Sequence, residues 1–160
     1  MQGIVSMSAE QYRQASGVSR SALKWISAPK TPLHFWARFI AKIIPDEETE
    51  ARRMGSLVHR CVLEPETMAD AFHLRPEGMK FTTKEGKAWK EYHEDKPILS
   101  TDDVQAIEGM RAAVWAHRKA AQILKSSDFE RSLFAEEKGL TLKARFDALP
   151  RVGNVIADLK

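Results

Sequence analysis

The stretch FERSLFAEEKGLTLKARFDAL, residues 129–149, decides the fold class of this chain. Polar and apolar residues alternate along it, which is typical of strands that present one face to a core. ERSLFAEE predicts one strand, KG a turn, and LTLKARFDAL a second strand, one face of which carries Lys143, Arg145 and Asp147. After the turn PRVGN, the segment VIADLK predicts a third strand, which gives an antiparallel meander.

The region before residue 128 has the periodicity of helices instead. ARRMGSLVHRCVLEPE places apolar residues at 54, 57, 58, 61 and 62, which form one helical face that ends near Pro65. STDDVQAIEGMRAAVWAHRKAAQIL predicts one long helix, capped by Ser100 or Thr101, with His117 on its apolar stripe as a core histidine. Shorter helices are predicted after Ser19 or Ser21, from Pro32 to about Ile44, and within TTKEGKAWKEY. The predicted class is mixed α/β (α+β), with helices first and strands last.

Length and composition predict one globular domain over residues 1–160. Within it we expect a basic helical part at 1–45, helices with an exposed Lys-rich loop (75–99) at 46–127, and strands at 128–160. The single cysteine excludes a disulfide framework and favours the cytoplasm, and no apolar run is long enough for a membrane span. Up to Pro45 there are six Lys or Arg against one acid, Glu10. This basic surface is either a site for a polyanion or a solvated cationic face.

The last residues carry the pattern with chemical content. A hairpin about the turn at Val152 and Gly153 would place Asp147 opposite Asp158 on the neighbouring strand. Two adjacent carboxylates repel each other, and a divalent cation is the natural compensation. Lys160 leaves the same face as Asp158, roughly 7 Å along the strand, where an ammonium could orient water or stabilise a phosphoryl charge. The alternative is an ordinary surface ion pair between Asp147 and Lys160.

Several ordered blocks of the chain also resemble a nuclease superfamily. The tail, RFD followed by ADLK, resembles the PD-(D/E)xK signature, and MGSLVHRCVLEPE resembles the G-x-x-x-H helix of its RecB-like branch. The blocks SRSALKWISAPKTPLHFW, TTKEGKAWKEY, LSTDDVQAIEGMRAAVWAH and FERSLFAEEKGLTLKARFDAL are similar in order and spacing to the RecE (exonuclease VIII) group. The resemblance implies a restriction-endonuclease-like core.

The resemblance also implies an activity and a site. It implies that His59, Asp147, Asp158 and the Leu159 carbonyl surround Mg²⁺, for which Mn²⁺ substitutes, and that Lys160 is the catalytic lysine. The implied activity is a 5′–3′ exodeoxyribonuclease on linear double-stranded DNA, in recombination of the phage or prophage type within a bacterial cytoplasm. The implied partners are a RecT-like single-strand annealing protein and further copies of the chain in a ring.

Other residues are candidates with competing interpretations. His59 lies beside the apolar stripe, on the side of Gly55, where a missing side chain would let another backbone or a ligand come close; a half-buried structural histidine is the alternative. Glu130 is a possible extra acid near the site. Candidate DNA contacts are Arg20, Lys24, Lys84, Lys87 and Arg145. In the Lys-rich loop, base stacking competes with local packing for Phe81, Trp89 and Tyr92.

The sequence departs from the RecE group after Lys160. Members of that group continue with a helix that bears a Tyr/Gln motif and with more of the sheet, so the resemblance predicts that this nuclease domain is incomplete, a truncated product or a fragment. The alternative function is then a catalytically impaired remnant that binds DNA or serves assembly. A metal hydrolase acting on another phosphate ester is a third possibility.

Overall fold

The structure is a computed structural model, and it describes residues 2–45, 49–153 and 155–159. The chain forms two compact units, a sheet unit of Met1–Glu48 with Ser126–Lys160 and a helical unit of Thr49–Lys125. None of the helices in the described part of the chain combines the length and apolar character that crossing a membrane requires. The strands are β1 (Gly3–Ser6), β2 (His73–Leu74), β3 (Ile98–Leu99), β4 (Ser127–Glu137) and β5 (Leu140–Pro150), and the helices are α1 (Ala9–Gln14), α2 (Arg20–Leu23), α3 (Pro32–Phe35), α4 (Glu50–Leu63), α5 (Lys84–Tyr92), α6 (Thr101–Ala116) and α7 (Arg118–Lys125).

The sheet unit contains the predicted hairpin. β4 and β5 pair antiparallel from end to end, except at Glu130 and Asp147, around a turn at Lys138 and Gly139, both of which have a positive φ, of 51° and 77°. β1 pairs antiparallel with the other edge of β4, so that the strand order is β1-β4-β5. The register sets Ser132 opposite Arg145, which brings polar side chains of β4 and β5 onto one face.

The third strand of this sheet is β1, and the strand predicted for residues 155–160 was wrong for residues 155–159, which the structure describes. Over its described residues that segment makes one isolated antiparallel bridge, between Ala157 and Ala148. The register of the bridge nevertheless agrees with the predicted hairpin, since it sets Asp158 across from Asp147. β1 was not predicted, because four residues are too few to show a clear alternation of polar and apolar side chains, and because its pairing with β4 joins residues far apart in sequence.

Most predicted helices are confirmed, with changes at their ends. The hydroxyl of Ser19 accepts a hydrogen bond from the Ala22 amide and caps α2, and Pro65 follows the end of α4. The helix from Pro32 was expected to reach Ile44. Instead α3 continues as a wider π-helical turn that ends at Ile40.

The long helix predicted after Ser100 is two helices. Ser100 and Asp103 form a capping box at the start of α6, but the helix breaks at His117 before α7 begins. His117 is exposed, and its Nδ1 accepts a hydrogen bond from the Ala120 amide at 3.3 Å. The prediction of a core histidine was therefore wrong, because the polar ring caps α7 instead of packing inward.

The core of the helical unit lies between α4 and α6. The Trp115 indole N–H also donates to the Val62 carbonyl at 3.1 Å, which ties the two helices together by a polar contact. β2 and β3 form a short parallel pair in the same unit. The buried apolar cluster has five members, Leu57, Cys61, Ala71, Leu99 and Ile107.

Candidate metal centre

The central feature of the sheet unit is a pair of carboxylates on adjacent strands. Phe129 pairs with Ala148 and Arg131 with Phe146, so Glu130 on β4 lies across from Asp147 on β5. A carboxylate oxygen of Glu130 is within 4.8 Å of one of Asp147, and both residues are half-buried. At an effective dielectric constant of 20, two full charges at that distance repel by roughly 3.5 kcal/mol. Such a pair needs a compensating positive charge.

The backbone at Glu130 is unusual for the interior of a strand. Its φ is +52°, in the left-handed region that residues with a Cβ rarely adopt, at a cost of roughly 1–2 kcal/mol. The ladder between β4 and β5 skips this residue and resumes on both sides of it. Strain of this kind persists only where surrounding contacts hold it, and it is concentrated at functional sites.

Arg145 supplies the contacts that hold Glu130. Its Nε donates to Oε2 of Glu130 at 2.5 Å, and its Nη1 donates to the hydroxyl of Ser132 at 3.1 Å and to the carbonyl of Met7 at 2.9 Å. Only 16% of the Arg145 side chain is exposed, and Ser132 is fully buried. The guanidinium thus joins β4, β5 and the residue after β1, and it offsets part of the repulsion between the carboxylates.

Asp147 is also tied to the segment that follows the turn. Its Oδ2 accepts a hydrogen bond from the backbone N–H of Leu159 at 2.7 Å. The neighbouring Asp158 is exposed, and within the described residues Glu130, not Asp158, is the acid grouped with Asp147. Lys160 lies outside the described residues. The metal roles of Asp158 and of the Leu159 carbonyl, and the catalytic role of Lys160, stay predictions.

His59 lies in the helical unit, on α4, and is half-buried. A Cβ built at Gly55, one turn earlier, would have nothing within 4 Å in the described part of the protein. No close backbone approach in the described residues therefore requires this glycine, and access for a ligand at this position stays a prediction. An imidazole nitrogen of His59 can serve as a metal ligand, and that role also stays a prediction.

The N-terminal segment covers the polar face of β5. The Lys143 ammonium donates to the carbonyls of Tyr12 and Ala15 at 2.9 and 2.6 Å, at the C-terminal end of α1. Burial lowers the pKa of Lys143, whereas burial raises the pKa of Tyr12 and the nearby Arg145 opposes that rise. The alternating pattern predicted that Lys143 and Arg145 share a face with Asp147, but no sequence signal indicated what packs on it.

The candidate DNA contacts fall into two groups. Four of them are exposed: Arg20 begins α2 and Lys24 directly follows it, whereas Lys84 and Lys87 belong to α5. Arg145 differs, since its guanidinium is engaged by Glu130, Ser132 and Met7. A role in DNA binding stays a prediction for all five.

The aromatic side chains near α5 pack mainly on one another. Trp89 stacks on Phe81 and on His93, with ring centroids 6.3 and 4.0 Å apart. Phe81 and Trp89 are half-buried, which favours local packing as their role. Tyr92, by contrast, is 84% exposed, so its ring is accessible to a ligand.

Residues 19–160 match a family described as a PDDEXK-like domain of unknown function (DUF3799), and the chain belongs to that family. No curated protein and no solved structure matches the chain. The family supports membership of the PD-(D/E)xK nuclease superfamily, and the helices with an antiparallel three-stranded sheet fit the restriction-endonuclease-like fold. The predicted fold class is thereby confirmed. Nucleases of this class typically use divalent metal ions, and the carboxylate pair has the oxygen donors that such ions bind.

Proposed function

We propose that this chain is the nuclease domain of a divalent-metal-dependent exodeoxyribonuclease that degrades linear double-stranded DNA from 5′ ends. The observation that carries the proposal is the half-buried pair of Glu130 and Asp147, held at short distance in a member of a PDDEXK-like family. A fold tolerates such a pair at a cost in stability. Binding of a dication offsets that cost and gives the pair a chemical role.

The proposed ligands are Asp147, Asp158, His59 and the Leu159 carbonyl, with Glu130 as an additional acid. Carboxylate oxygens and an imidazole nitrogen suit Mg²⁺ and, more readily, Mn²⁺, which accepts nitrogen donors. The bound ion would supply an activated water and charge stabilisation at the phosphate. Lys160 would stabilise the negative charge that builds on the phosphoryl oxygens.

The finer parts of the proposal rest on the resemblance to the RecE group. They are the 5′–3′ direction, a role in phage-type recombination, a RecT-like annealing partner, and a ring of several copies around DNA. Exposure of Arg20 and Lys24 supports the contact with DNA, because accessible cations at the two ends of one short helix can reach phosphates.

The test is an assay with linear duplex DNA labelled at either the 5′ or the 3′ end, incubated with Mg²⁺. We expect nucleotides to be released from the 5′-labelled end, with loss of activity in Asp147→Ala and in Asp158→Ala. Asp128→Asn is the matched control, because Asp128 lies on β4 but pairs with Arg151 at 2.9 Å instead of joining the acidic pair. Activity that survives both alanine variants, or cleavage of closed circular DNA, would contradict the proposal.

The second candidate is a module that binds DNA or serves assembly without cleaving. The exposure of Asp158, apart from the close pair of Glu130 and Asp147, favours it. The same assay distinguishes the two candidates, since binding without release of nucleotides in Mg²⁺ or Mn²⁺ supports the module. Binding should weaken steeply with salt in either case, and Arg20→Ala with Lys24→Ala should reduce that slope.

A further inference from the structure

The Arg145 side chain makes three hydrogen bonds beside the carboxylate pair. It shares a face of β5 with Asp147, two residues away, and it lies opposite Ser132 on β4. Its three contacts come from three places in the chain: the Glu130 carboxylate, the Ser132 hydroxyl and the Met7 carbonyl. A guanidinium suits this arrangement because its donors leave a rigid plane in several fixed directions.

These contacts act on the one residue of the pair whose backbone is strained. Glu130 has a φ of +52° and is skipped by the strand ladder, so the ladder does not fix the direction of its side chain. The bond from Arg145 Nε engages only Oε2 of Glu130. A carboxylate has a second oxygen, so Glu130 can be held by Arg145 and still offer a ligand.

We propose that Arg145 is a positioning residue of the metal centre, which holds the Glu130 carboxylate beside Asp147 before an ion binds. The inference rests on the metal centre of the proposed function. A positive charge so close to the site opposes cation binding by simple electrostatics. Its benefit must therefore come from pre-organisation, because the carboxylates are held close together without the ion.

The opposition of these two effects makes the proposal testable with two substitutions. Arg145→Lys keeps the charge but cannot reach Glu130, Ser132 and Met7 at once, whereas Arg145→Met removes the charge as well. The measurement is the affinity for Mn²⁺ in the absence of DNA, by isothermal titration calorimetry, together with the electron paramagnetic resonance spectrum of the bound ion. A merely structural role would lower thermal stability without changing either quantity in the folded protein.

We expect Arg145→Lys to bind Mn²⁺ about 10- to 100-fold more weakly than the wild type, which is the usual effect of removing a partner that orients a ligand. Arg151→Lys is the matched control and should leave the affinity unchanged, since Arg151 pairs with Asp128, a carboxylate outside the acidic pair. In a Glu130→Ala background, Arg145→Lys should have less than a twofold further effect. Ser132→Ala removes one of the contacts and should weaken binding in the same direction, which keeps the test available if Arg145→Lys does not fold.

Two results would overturn the role of Arg145. One is an unchanged affinity in Arg145→Lys with a tighter affinity in Arg145→Met, which would show that the arginine acts only through its charge. The other is an equal loss with and without Glu130. If the wild type itself binds no Mn²⁺, the metal centre fails and this role fails with it, so the two failures are distinguishable.

Discussion

Asp147→Asn should stabilise the metal-free protein while removing its activity. The substitution keeps the size of the side chain, and the amide oxygen can still accept the hydrogen bond from the Leu159 amide. It removes one of two carboxylates whose oxygens are within 4.8 Å, a repulsion of roughly 3.5 kcal/mol at full charge. Because Arg145 already offsets part of that repulsion, we expect a net gain of about 1–2 kcal/mol. At about 2–4 °C per kcal/mol, the melting temperature should rise by roughly 2–8 °C.

The assay is thermal unfolding, in EDTA and then in Mn²⁺. A ligand that binds only the folded state at about 100 times its Kd adds about 2.7 kcal/mol to the stability. The wild type should gain this stability from Mn²⁺, whereas Asp147→Asn should gain much less. The order of the two melting temperatures should therefore reverse when metal replaces EDTA.

Asp128→Asn is the control for the sign of the effect. The Asp128 carboxylate faces Arg151 at 2.9 Å and Arg131 at 3.6 Å, and these cations lower its pKa. Its removal should not raise the melting temperature in EDTA, and metal should stabilise this variant as it does the wild type. A lower melting temperature for Asp147→Asn in EDTA would refute the idea that the pair is held together against repulsion.

Three further predictions concern stability. Lys143→Met should lower the free energy of unfolding by about 1–3 kcal/mol in chemical denaturation, because the carbonyls of Tyr12 and Ala15 lose a charged donor. The control is Lys24→Met, at an exposed lysine, which should change that free energy little. Gly86→Ala should lower the free energy of unfolding, since its Cβ would clash with the Lys80 carbonyl oxygen. Gly109→Ala, whose Cβ would meet nothing within 4 Å in the described part of the protein, should raise that free energy by about 0.5–1 kcal/mol through helix propensity. Hydrogen bonds from Ser100 lower the pKa of Asp103. The ionised Asp103 carboxylate therefore stabilises the fold above its ordinary pKa of 3.8, and this stabilisation is lost as the pH falls through the lower pKa of the folded state. The loss of stability caused by Asp103→Asn should shrink as the pH falls from 3.8 through that lower pKa.

Part of the candidate site was accessible to sequence reasoning. A hairpin is a local structure, so the turn at Val152 and Gly153 was enough to predict the register that the bridge between Ala148 and Ala157 displays. Alternation likewise put Arg145 on the face of Asp147. The partner of Arg145 was not predicted, because Glu130 lies on another strand and its left-handed backbone has no signature in the sequence.

By itself, the sequence determined what depends on neighbouring residues. These features are a serine or threonine cap at the start of α2 and of α6, the face of α4, and the hairpin of β4 and β5 after the helices, since each follows from periodicity or from a side chain bonding the nearby backbone. Only the tertiary structure decided that β1 completes the sheet and that Arg145 holds Glu130 beside Asp147. Those outcomes join residues far apart in the chain, and their energies depend on burial and charge in three dimensions, which no local pattern records.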